Sequence, residues 1–153
     1  PVKNELEHIK NYMEIQKMRY GDTFSYEIHA EEGTENIRIP PILIQTFIEN
    51  AIKHSNTFDE PIIIRTDIAW MTAGGNSHEN IQIQVMDTGC GFSEYILQSL
   101  NSAIPLEPQN GHRIGITNAI QRLNLLYGQG EAVITFSNLP SGGACVTILL
   151  PAV

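Results

Sequence analysis

The sequence predicts an α+β fold of the α/β sandwich type, in which a mixed, largely antiparallel sheet carries helices packed on one face. Several segments alternate apolar and polar residues and are joined locally by glycine-containing turns, which is typical of antiparallel strands. Longer segments between them repeat apolar residues at intervals of three and four, which indicates amphipathic helices. A chain of 153 residues can bury one core without disulfides or metal, so a single domain is expected, with Cys90 and Cys145 as free thiols.

The first elements are a helix and a strand. Apolar residues on one side predict a helix over residues 4–20, and Gly21 ends it. Residues 24–28 alternate as a strand does, and residues 31–33 form the next turn. The chain is therefore expected to begin with a helix that leads directly into the sheet.

A second helix is predicted to begin at Pro40-Pro41, because proline is tolerated in the first helical turn. Its apolar residues form one stripe, which consists of Leu43, Ile44, Phe47, Ile48, Ala51 and Ile52. Four polar residues lie beside or away from this stripe, namely Glu49, Asn50, Lys53 and His54. A solvated polar face would have the same pattern, so the downstream segments decide whether these residues carry chemistry.

The second half of the chain supplies most of the sheet. Alternating patterns predict strands over residues 61–70, 81–86, 132–136 and 144–150. Turns at residues 74–76 and 140–143 join these strands into hairpins. Periodic patterns predict a short helix over residues 94–100 and a longer one over residues 114–127, which Gly128 and Gly130 close. Locally joined strands with helices between them make up the expected sandwich.

The segment Asp87-Thr88-Gly89-Cys90-Gly91 directly follows the strand of residues 81–86. The strand delivers one carboxylate to its carboxyl end, and the two glycines let the backbone turn sharply. A carboxylate there can accept a hydrogen bond from an exocyclic amine such as that of adenine, and the glycines let a flat ligand approach closely. The aspartate could also cap the turn before glycine, which would be a purely structural role.

Three segments together resemble the N, G1 and G2 boxes of the Bergerat-fold (GHKL) ATPases, which include histidine kinases, gyrase, Hsp90 and MutL. The likeness is closest to the LytS/YesM-type sensor histidine kinases of bacteria, and it extends from about residue 6 to residue 150. The resemblance implies the Bergerat ATP-binding fold. The matching segments are residues 40–54, 87–91 and 114–123, and Tyr12, Ile15, Gln16, Arg19 and Tyr20 match the helix that precedes them in that subfamily.

The resemblance implies a role for each polar residue of the second helix. Asn50 would be the magnesium ligand, through its side-chain carbonyl oxygen. Glu49 would orient or activate the attacking nucleophile. Lys53 and His54 would donate hydrogen bonds on the phosphate side, although both could also be ordinary exposed residues.

The same resemblance implies that the aspartate-glycine turn contacts the adenine base of ATP. Asp87 would accept a hydrogen bond from the adenine amine, while Gly89 and Gly91 would make room for the ring and for the base of a lid. Thr88 stands where the family more often has asparagine, and its hydroxyl can still bond locally. Phe92 would pack beneath the lid or belong to the core.

A second phosphate-binding element is implied near residue 111, where backbone N–H groups at a helix start would face the phosphates. Its expected residues are Gly111, Arg113, Ile114, Gly115 and Asn118. Arg113 replaces the middle glycine of the family's Gly-x-Gly-x-Gly pattern. It could clamp a phosphate through two hydrogen bonds, or it could stiffen the lid and weaken binding. Residues 92–111 would form the ATP lid, which is expected to be mobile without nucleotide.

The resemblance implies that the chain binds ATP·Mg²⁺ and donates the γ-phosphate to a histidine in the upstream part of a two-component sensor kinase. Residues 1–20 would be the end of a helix that links to an absent dimerisation and phosphoacceptor region. Residues 21–153 would be the catalytic ATP-binding domain. His8 does not have the sequence context of the family's acceptor, so the acceptor is expected to lie outside this sequence.

The implied partners are the upstream dimerisation and phosphoacceptor helices and, through the phosphohistidine, a cognate response regulator. The fragment is expected to be monomeric and the full-length kinase dimeric. The resemblance also implies the cytoplasmic domain of a bacterial inner-membrane sensor. A net charge of −8 argues against nucleic acid as a partner, because nucleic-acid binding needs basic surfaces.

Two other functions are compatible with the same segments. One is a degenerate GHKL module that holds nucleotide without transferase activity, which the departure at Arg113 keeps open. The other is an anti-sigma-type serine kinase, although Gln45 and the first helix favour the sensor kinase. A clamp ATPase such as gyrase or MutL is not expected, because these proteins carry long extra segments and a distant lysine for which 153 residues leave no room.

Overall fold

The computed structural model describes residues 1–54, 61–71, 80–89, 91–101, 111–128 and 132–152. Within them the helices are α1 (Val2–Tyr20), α2 (Leu43–His54), α3 (Glu94–Asn101) and α4 (Gly111–Tyr127). The strands are β1 (Phe24–Ala30), β2 (Ile62–Met71), β3 (Asn80–Asp87), β4 (Val133–Asn138) and β5 (Ala144–Pro151). The predicted helices and strands are therefore confirmed in the predicted order.

Three helix starts differ from the prediction, and α1 begins at Val2 rather than at residue 4. Helix α2 begins at Leu43 and not at Pro40, because Ile42 has a φ of 65°, which lies outside the right-handed helical region. Helix α4 begins at Gly111 and not at residue 114. Arg113 stands where the resemblance implies a glycine, and arginine is a much better helix former than glycine, so the helix can begin about one turn earlier.

The last hairpin is longer than predicted. Ser137 and Asn138 continue β4 and pair with Cys145 and Ala144 on β5. The other predicted hairpin turn, at residues 74–76, lies outside the described residues. The extension of β4 matters for the site, because it places Asn138 beside the loop that follows β3.

The strands form one sheet in the order β1-β2-β3-β5-β4. β1 and β2 are parallel, since the chain crosses over through α2 between them, and the other neighbouring pairs are antiparallel. The predicted mixed, largely antiparallel sheet is therefore confirmed. β3 is the central strand, and its last residue, Asp87, lies between β2 and β5.

The two faces of the sheet differ in burial. Ile83 and Ile148 are cross-strand neighbours on one face, and both are fully buried. Gln84 and Thr147 form the next pair, on the other face, where Gln84 Nε2 donates a hydrogen bond of 3.3 Å to Thr147 Oγ1. Helices α1, α2 and α4 pack apolar side chains into one core with the first face. Helices on one face, as predicted, follow from this alternation.

Helix α2 buries all six residues of its predicted apolar stripe. Each large side chain that is fully buried contributes roughly 1.5–3 kcal/mol relative to exposure. The left-handed conformation of Ile42 costs about 1–2 kcal/mol. Packing of the stripe therefore outweighs the strained entry into the helix.

The N-terminus of α2 is capped by a side chain from α1. Glu5 Oε1 accepts hydrogen bonds from the N–H groups of Ile44, at 2.8 Å, and Gln45, at 3.3 Å. Glu5 is only 7% exposed, and its Oε2 has no hydrogen-bond partner within the described part of the chain. Burial raises the pKa of the Glu5 carboxyl, and the two backbone hydrogen bonds oppose this effect without cancelling it.

Glu5 should make the stability of the protein depend on pH. Because its pKa is raised by folding, its contribution to stability is complete below its ordinary pKa of 4.5 and is lost as the pH rises through the raised value. Glu5→Gln should therefore gain stability relative to the unsubstituted protein as the pH rises above 4.5. Urea unfolding at several pH values measures this gain. The exposed Glu7→Gln is the control, and the same pH dependence in both variants would contradict the prediction.

The sequence expectation about the cysteines is tested at one of the two positions. Cys145 is a buried free thiol, as predicted, and its Sγ lies 3.7 Å from Thr147 Oγ1. Cys90 lies outside the described residues. No helix in the described ranges combines the length and apolar character that crossing a membrane requires.

Candidate functional site

A cavity lies between α2 and the buried face of the sheet, next to α4. Its apolar lining includes Phe47, Val85, Phe92, Ile116, Phe136 and Val146. Its polar lining side chains are Asn50 and Asp87, which are 8% and 5% exposed. An apolar cavity with a few convergent polar groups is the usual form of a small-molecule site. The fold thus brings together two residues that the sequence predicts separately.

Asp87 reaches the cavity because it is the last residue of β3 on the buried face of the sheet. It pairs with the fully buried Ile64 on β2. Asp87 Oδ1 accepts hydrogen bonds from the N–H groups of Gly89, at 2.8 Å, and Ala144, at 3.3 Å. The following turn and the neighbouring strand therefore both orient the carboxylate. Its turn-capping role and its place in the cavity wall are combined in one side chain.

Thr88 anchors the same turn. Its Oγ1 accepts a hydrogen bond of 3.0 Å from the N–H group of Ile63 on β2. The hydroxyl at this position is expected to bond locally, but its partner lies 25 residues away on the neighbouring strand. Thr88 therefore ties the turn to the sheet.

Three phenylalanines build an apolar wall of the cavity. The rings of Phe92 and Phe136 meet edge to face with their centroids 5.9 Å apart. The ring of Phe47 on α2 lies 6.3 Å from that of Phe136. Phe92 is half-buried and packs against the core, so its packing joins the loop after β3 to the hairpin of β4 and β5.

Asn138, at the end of β4, holds the loop that contains Gly91 and Phe92. Its Oδ1 accepts a hydrogen bond of 2.7 Å from the N–H group of Phe92, and its Nδ2 donates one of 2.9 Å to the carbonyl oxygen of Phe92. A Cβ at Gly91 would lie 2.8 Å from Asn138 Oδ1, so this close approach requires glycine. The sequence did not single out Asn138, because it lies 46 residues from Phe92 and no local pattern joins the two.

Gly143 approaches the backbone of Asp87 even more closely. It has a φ of 96°, and a Cβ there would collide with the carbonyl oxygen of Asp87. Gly142 has a φ of 97°, but nothing lies within 4 Å of the position that its Cβ would take. Alanine substitutions at these two neighbouring positions therefore separate the effect of backbone strain from the effect of contact with Asp87.

Gly143→Ala is expected to destabilise the protein more than Gly142→Ala and to weaken ligand binding in the cavity. Both alanines carry the cost of a positive φ, about 1–2 kcal/mol, but only the alanine at 143 also displaces Asp87. Urea unfolding of the two variants measures the difference. Equal losses of stability would contradict the close contact between Gly143 and Asp87.

The polar residues predicted on α2 occupy different surroundings. Asn50 lines the cavity, and its buried Nδ2 has no hydrogen-bond partner among the described residues. Glu49 is half-buried, and its Oε1 accepts a hydrogen bond of 3.0 Å from Gln45 Nε2. Lys53 is exposed, and the side chain of His54 lies outside what the structure describes. Of the polar side chains described on α2, Asn50 is the one that joins Asp87 in the lining of the cavity.

Glu49 lies within electrostatic reach of Tyr12 on α1. Burial raises the pKa of Tyr12, and the negative charge of Glu49 raises it further. Tyr12 is half-buried and packs against the core. Glu49 therefore lies on a side of α2 that is close to α1.

Helix α4 contributes to the cavity through Ile116. Asn118 is exposed and is not part of the lining. Arg122 donates a hydrogen bond to the carbonyl oxygen of Pro41, which ties α4 to the segment before α2. Residues 102–110 of the predicted lid lie outside the described residues. Gly111, Arg113, Ile114 and Gly115 lie in the first turns of α4, and the side chains of Arg113 and Ile114 lie outside what the structure describes.

Sensor kinases of bacteria are similar to this chain over most of its length. "Sensor protein LytS" of Oceanobacillus iheyensis is 31% identical over 153 residues, which cover 99% of this chain and 25% of that protein. "Sensor histidine kinase YpdA" of Escherichia coli is 33% identical over 132 residues, which cover 84% of this chain and 21% of that protein. The chain therefore spans about a quarter of the length of these curated relatives.

Solved histidine kinase structures share the fold. The catalytic domain of histidine kinase ThkA superposes with a TM-score of 0.70 at 13% identity, and the match covers 97% of this chain and 90% of that domain. ThkA in complex with the response regulator protein TrrA matches with a TM-score of 0.66 at 12% identity, over 98% of this chain and 40% of that chain. Together with the mixed sheet, this likeness shows the predicted Bergerat-like α+β fold.

Family membership follows from a match over most of the sequence. The family described as histidine kinase-, DNA gyrase B- and HSP90-like ATPases matches residues 35–153. That range contains both polar lining residues of the cavity, Asn50 and Asp87. The chain belongs to the family of histidine kinase-, DNA gyrase B- and HSP90-like ATPases.

Proposed function

We propose that the chain binds ATP with Mg²⁺ in this cavity and donates the γ-phosphate to a histidine in the upstream helices of a two-component sensor kinase. The observation that carries the proposal is the burial of Asn50 and Asp87 in the walls of one cavity. Membership of an ATPase family and similarity to sensor histidine kinases support it.

Asp87 would recognise the adenine base. An ionised carboxylate only accepts hydrogen bonds, so it matches the exocyclic amine of adenine and not the carbonyl group of guanine. The hydrogen bonds from Gly89 and Ala144 hold Oδ1 in place before the ligand arrives. Because the surrounding walls are largely apolar, an unmatched polar group on the base would be costly, and this gives selectivity.

Asn50 fits a magnesium ion by its chemistry and its surroundings. Mg²⁺ prefers oxygen ligands and is commonly held by a few side chains together with substrate phosphates. The carboxamide is buried in the cavity wall, and its Nδ2 is unpartnered among the described residues, so the amide is not fully used by the protein's own hydrogen bonds. When bound, the ion would neutralise charge on the phosphates.

Glu49 would orient or activate the acceptor histidine. Its carboxylate is held by Gln45 and lies close to α1, the helix that would lead towards the acceptor region. A carboxylate at hydrogen-bonding distance from an imidazole can fix its orientation and take its proton. The remaining proposed ATP contacts are Lys53, His54, Gly89, Gly91, Gly111, Arg113, Ile114, Gly115 and Asn118.

The upstream part of the protein would supply the acceptor histidine and the dimer interface. Residues 1–20 would then be the end of the linking helix, and residues 21–153 the catalytic domain. The similar kinases are about four times as long as this chain, so they have room for such a region and for a membrane sensor. Since ThkA has been solved with a response regulator, we propose a cognate response regulator as the final phosphate acceptor here.

ATP labelled on its γ-phosphate tests transfer in the full-length kinase. The protein should acquire a phosphate that is stable in alkali and labile in acid, as expected for phosphohistidine, and Asp87→Asn should not. His8, which is exposed on α1, is not expected to be the acceptor, so His8→Gln should keep the label. Loss of the label in His8→Gln would contradict an upstream acceptor, and no label in any variant would contradict transfer to histidine.

A further inference from the structure

Helix α2 begins without a capping side chain of its own. Pro40, Pro41 and Ile42 precede it, and none of these side chains can accept a hydrogen bond from the first N–H groups of the helix. The entry is also strained, because Ile42 has a φ of 65°. The conformation at the start of α2 therefore depends on groups from other elements.

Glu5 on α1 supplies the missing cap from 39 and 40 residues away. Its Oε1 accepts hydrogen bonds from the N–H groups of Ile44 and Gln45. An anionic group is favourable at this position, because the N-terminus of a helix is the positive end of its dipole. A buried carboxylate with one oxygen unpaired is costly, and an apolar residue would pack on α1 without that cost. The carboxylate is therefore suited to holding α2 rather than to filling the core.

Gln45 connects this cap to Glu49. Its backbone N–H group is bound by Glu5, and its side-chain Nε2 donates a hydrogen bond of 3.0 Å to Glu49 Oε1 one helical turn later. A continuous chain of hydrogen bonds thus runs from α1 through Gln45 to the carboxylate that would act on the acceptor histidine. This chain of hydrogen bonds joins Glu5, Gln45 and Glu49, whereas Asn50 and Asp87 line the cavity.

We propose that Glu5 and Gln45 are positioning residues for Glu49, so that the contact between α1 and the start of α2 supports phosphoryl transfer separately from ATP binding. The inference rests on the proposed role of Glu49 in transfer. Without the carboxylate of Glu5 at the first N–H groups of α2, Gln45 loses its anchor and the carboxylate of Glu49 is held less firmly. The adenine and magnesium residues remain in the cavity, so nucleotide stays bound while transfer is lost.

Four variants of the full-length kinase test the chain of contacts. Glu5→Ala and Gln45→Ala should each lower the transfer rate at saturating ATP by roughly tenfold and leave the ATP Kd within about twofold. Glu5→Gln should recover most of the rate, because its amide oxygen can still cap α2. Glu7→Ala, at an exposed position on α1, should have the rate of the unsubstituted protein.

The double variant Glu5→Ala/Gln45→Ala should lose little more than either single variant, because both act through one carboxylate. Equal losses in ATP affinity and transfer, in proportion to a loss of thermal stability, would reduce Glu5 to a structural cap and overturn the inference. If Glu5→Ala fails to fold, Gln45→Ala still decides the question, since it keeps the backbone cap.

Glu49→Gln separates failure of the inference from failure of the proposed function. Full transfer in Glu49→Gln would overturn the inference and leave ATP-dependent transfer standing. Absence of transfer in the unsubstituted kinase would overturn the proposed function, and the inference with it.

Discussion

Asp87→Asn is expected to remove selective ATP binding while the fold remains intact. The amide oxygen of asparagine can still accept the hydrogen bonds that Oδ1 receives from Gly89 and Ala144, so the turn after β3 should survive. The negative acceptor for the adenine amine is lost, and a hydrogen bond to a charged group is worth about 1.5–3 kcal/mol. ATP affinity should therefore fall by roughly 10- to 150-fold.

Inosine triphosphate sharpens this test, because it has a carbonyl group in place of the adenine amine. The –NH₂ group of asparagine can donate to that carbonyl group, so the preference for ATP over inosine triphosphate should shrink or reverse. Asp67→Asn is the matched control, since Asp67 pairs with Arg65 on β2 away from the cavity. Titration calorimetry measures both affinities. An unchanged preference in Asp87→Asn would contradict the adenine contact.

Asn50→Ala is expected to remove the magnesium-dependent part of ATP binding at little cost in stability. The buried Nδ2 of Asn50 has no partner among the described residues, so its removal leaves no hydrogen bond broken at that atom. Loss of the oxygen ligand should weaken binding of ATP with Mg²⁺ on the order of tenfold or more, while binding without Mg²⁺ changes little.

Titrations of Asn50→Ala with and without Mg²⁺, together with thermal unfolding, measure these effects. Asn50→Asp restores an oxygen ligand and should recover magnesium dependence. A variant that loses affinity equally with and without Mg²⁺ would show that Asn50 shapes the cavity rather than holding the ion. A loss of ATP affinity that matches the loss of stability would also show that Asn50 shapes the cavity rather than holding the ion.

Local patterns account for the parts of the site that the sequence predicts. The spacing of apolar residues on α2 determines which side faces the sheet, and Asn50 follows from its place beside that stripe. Alternation along β3 brings Asp87 to the buried face. In both cases the periodicity of the helix or strand determines the direction of the side chain, so one segment of sequence is enough.

Contacts between distant segments account for what the sequence did not reveal. Asn138 and Gly143 act on the loop after β3 only because β4 and β5 form a hairpin beside it. Glu5 had a weak local signal, since a carboxylate beside Leu6 and four residues before Ile9 lies on the apolar side of α1. The contact of Glu5 with the start of α2 could not be predicted from that spacing, because α1 and α2 meet only in the folded chain.

The start of α2 is a second feature that local sequence patterns could not predict. Two prolines favour the first turn of a helix, yet the helix begins only at Leu43. The left-handed conformation of Ile42 is disfavoured for a β-branched residue, so no propensity predicts it. It is maintained by contacts from α1 and α4, through Glu5 and Arg122.

A crystal structure of the chain with a non-hydrolysable ATP analogue and Mg²⁺ would test the central claim most directly. We expect the adenine amine at about 3 Å from a carboxylate oxygen of Asp87, and the ion bound to Asn50 Oδ1 and to phosphate oxygens at about 2.1 Å. A nucleotide bound outside the cavity, or one whose base does not contact Asp87, would contradict it.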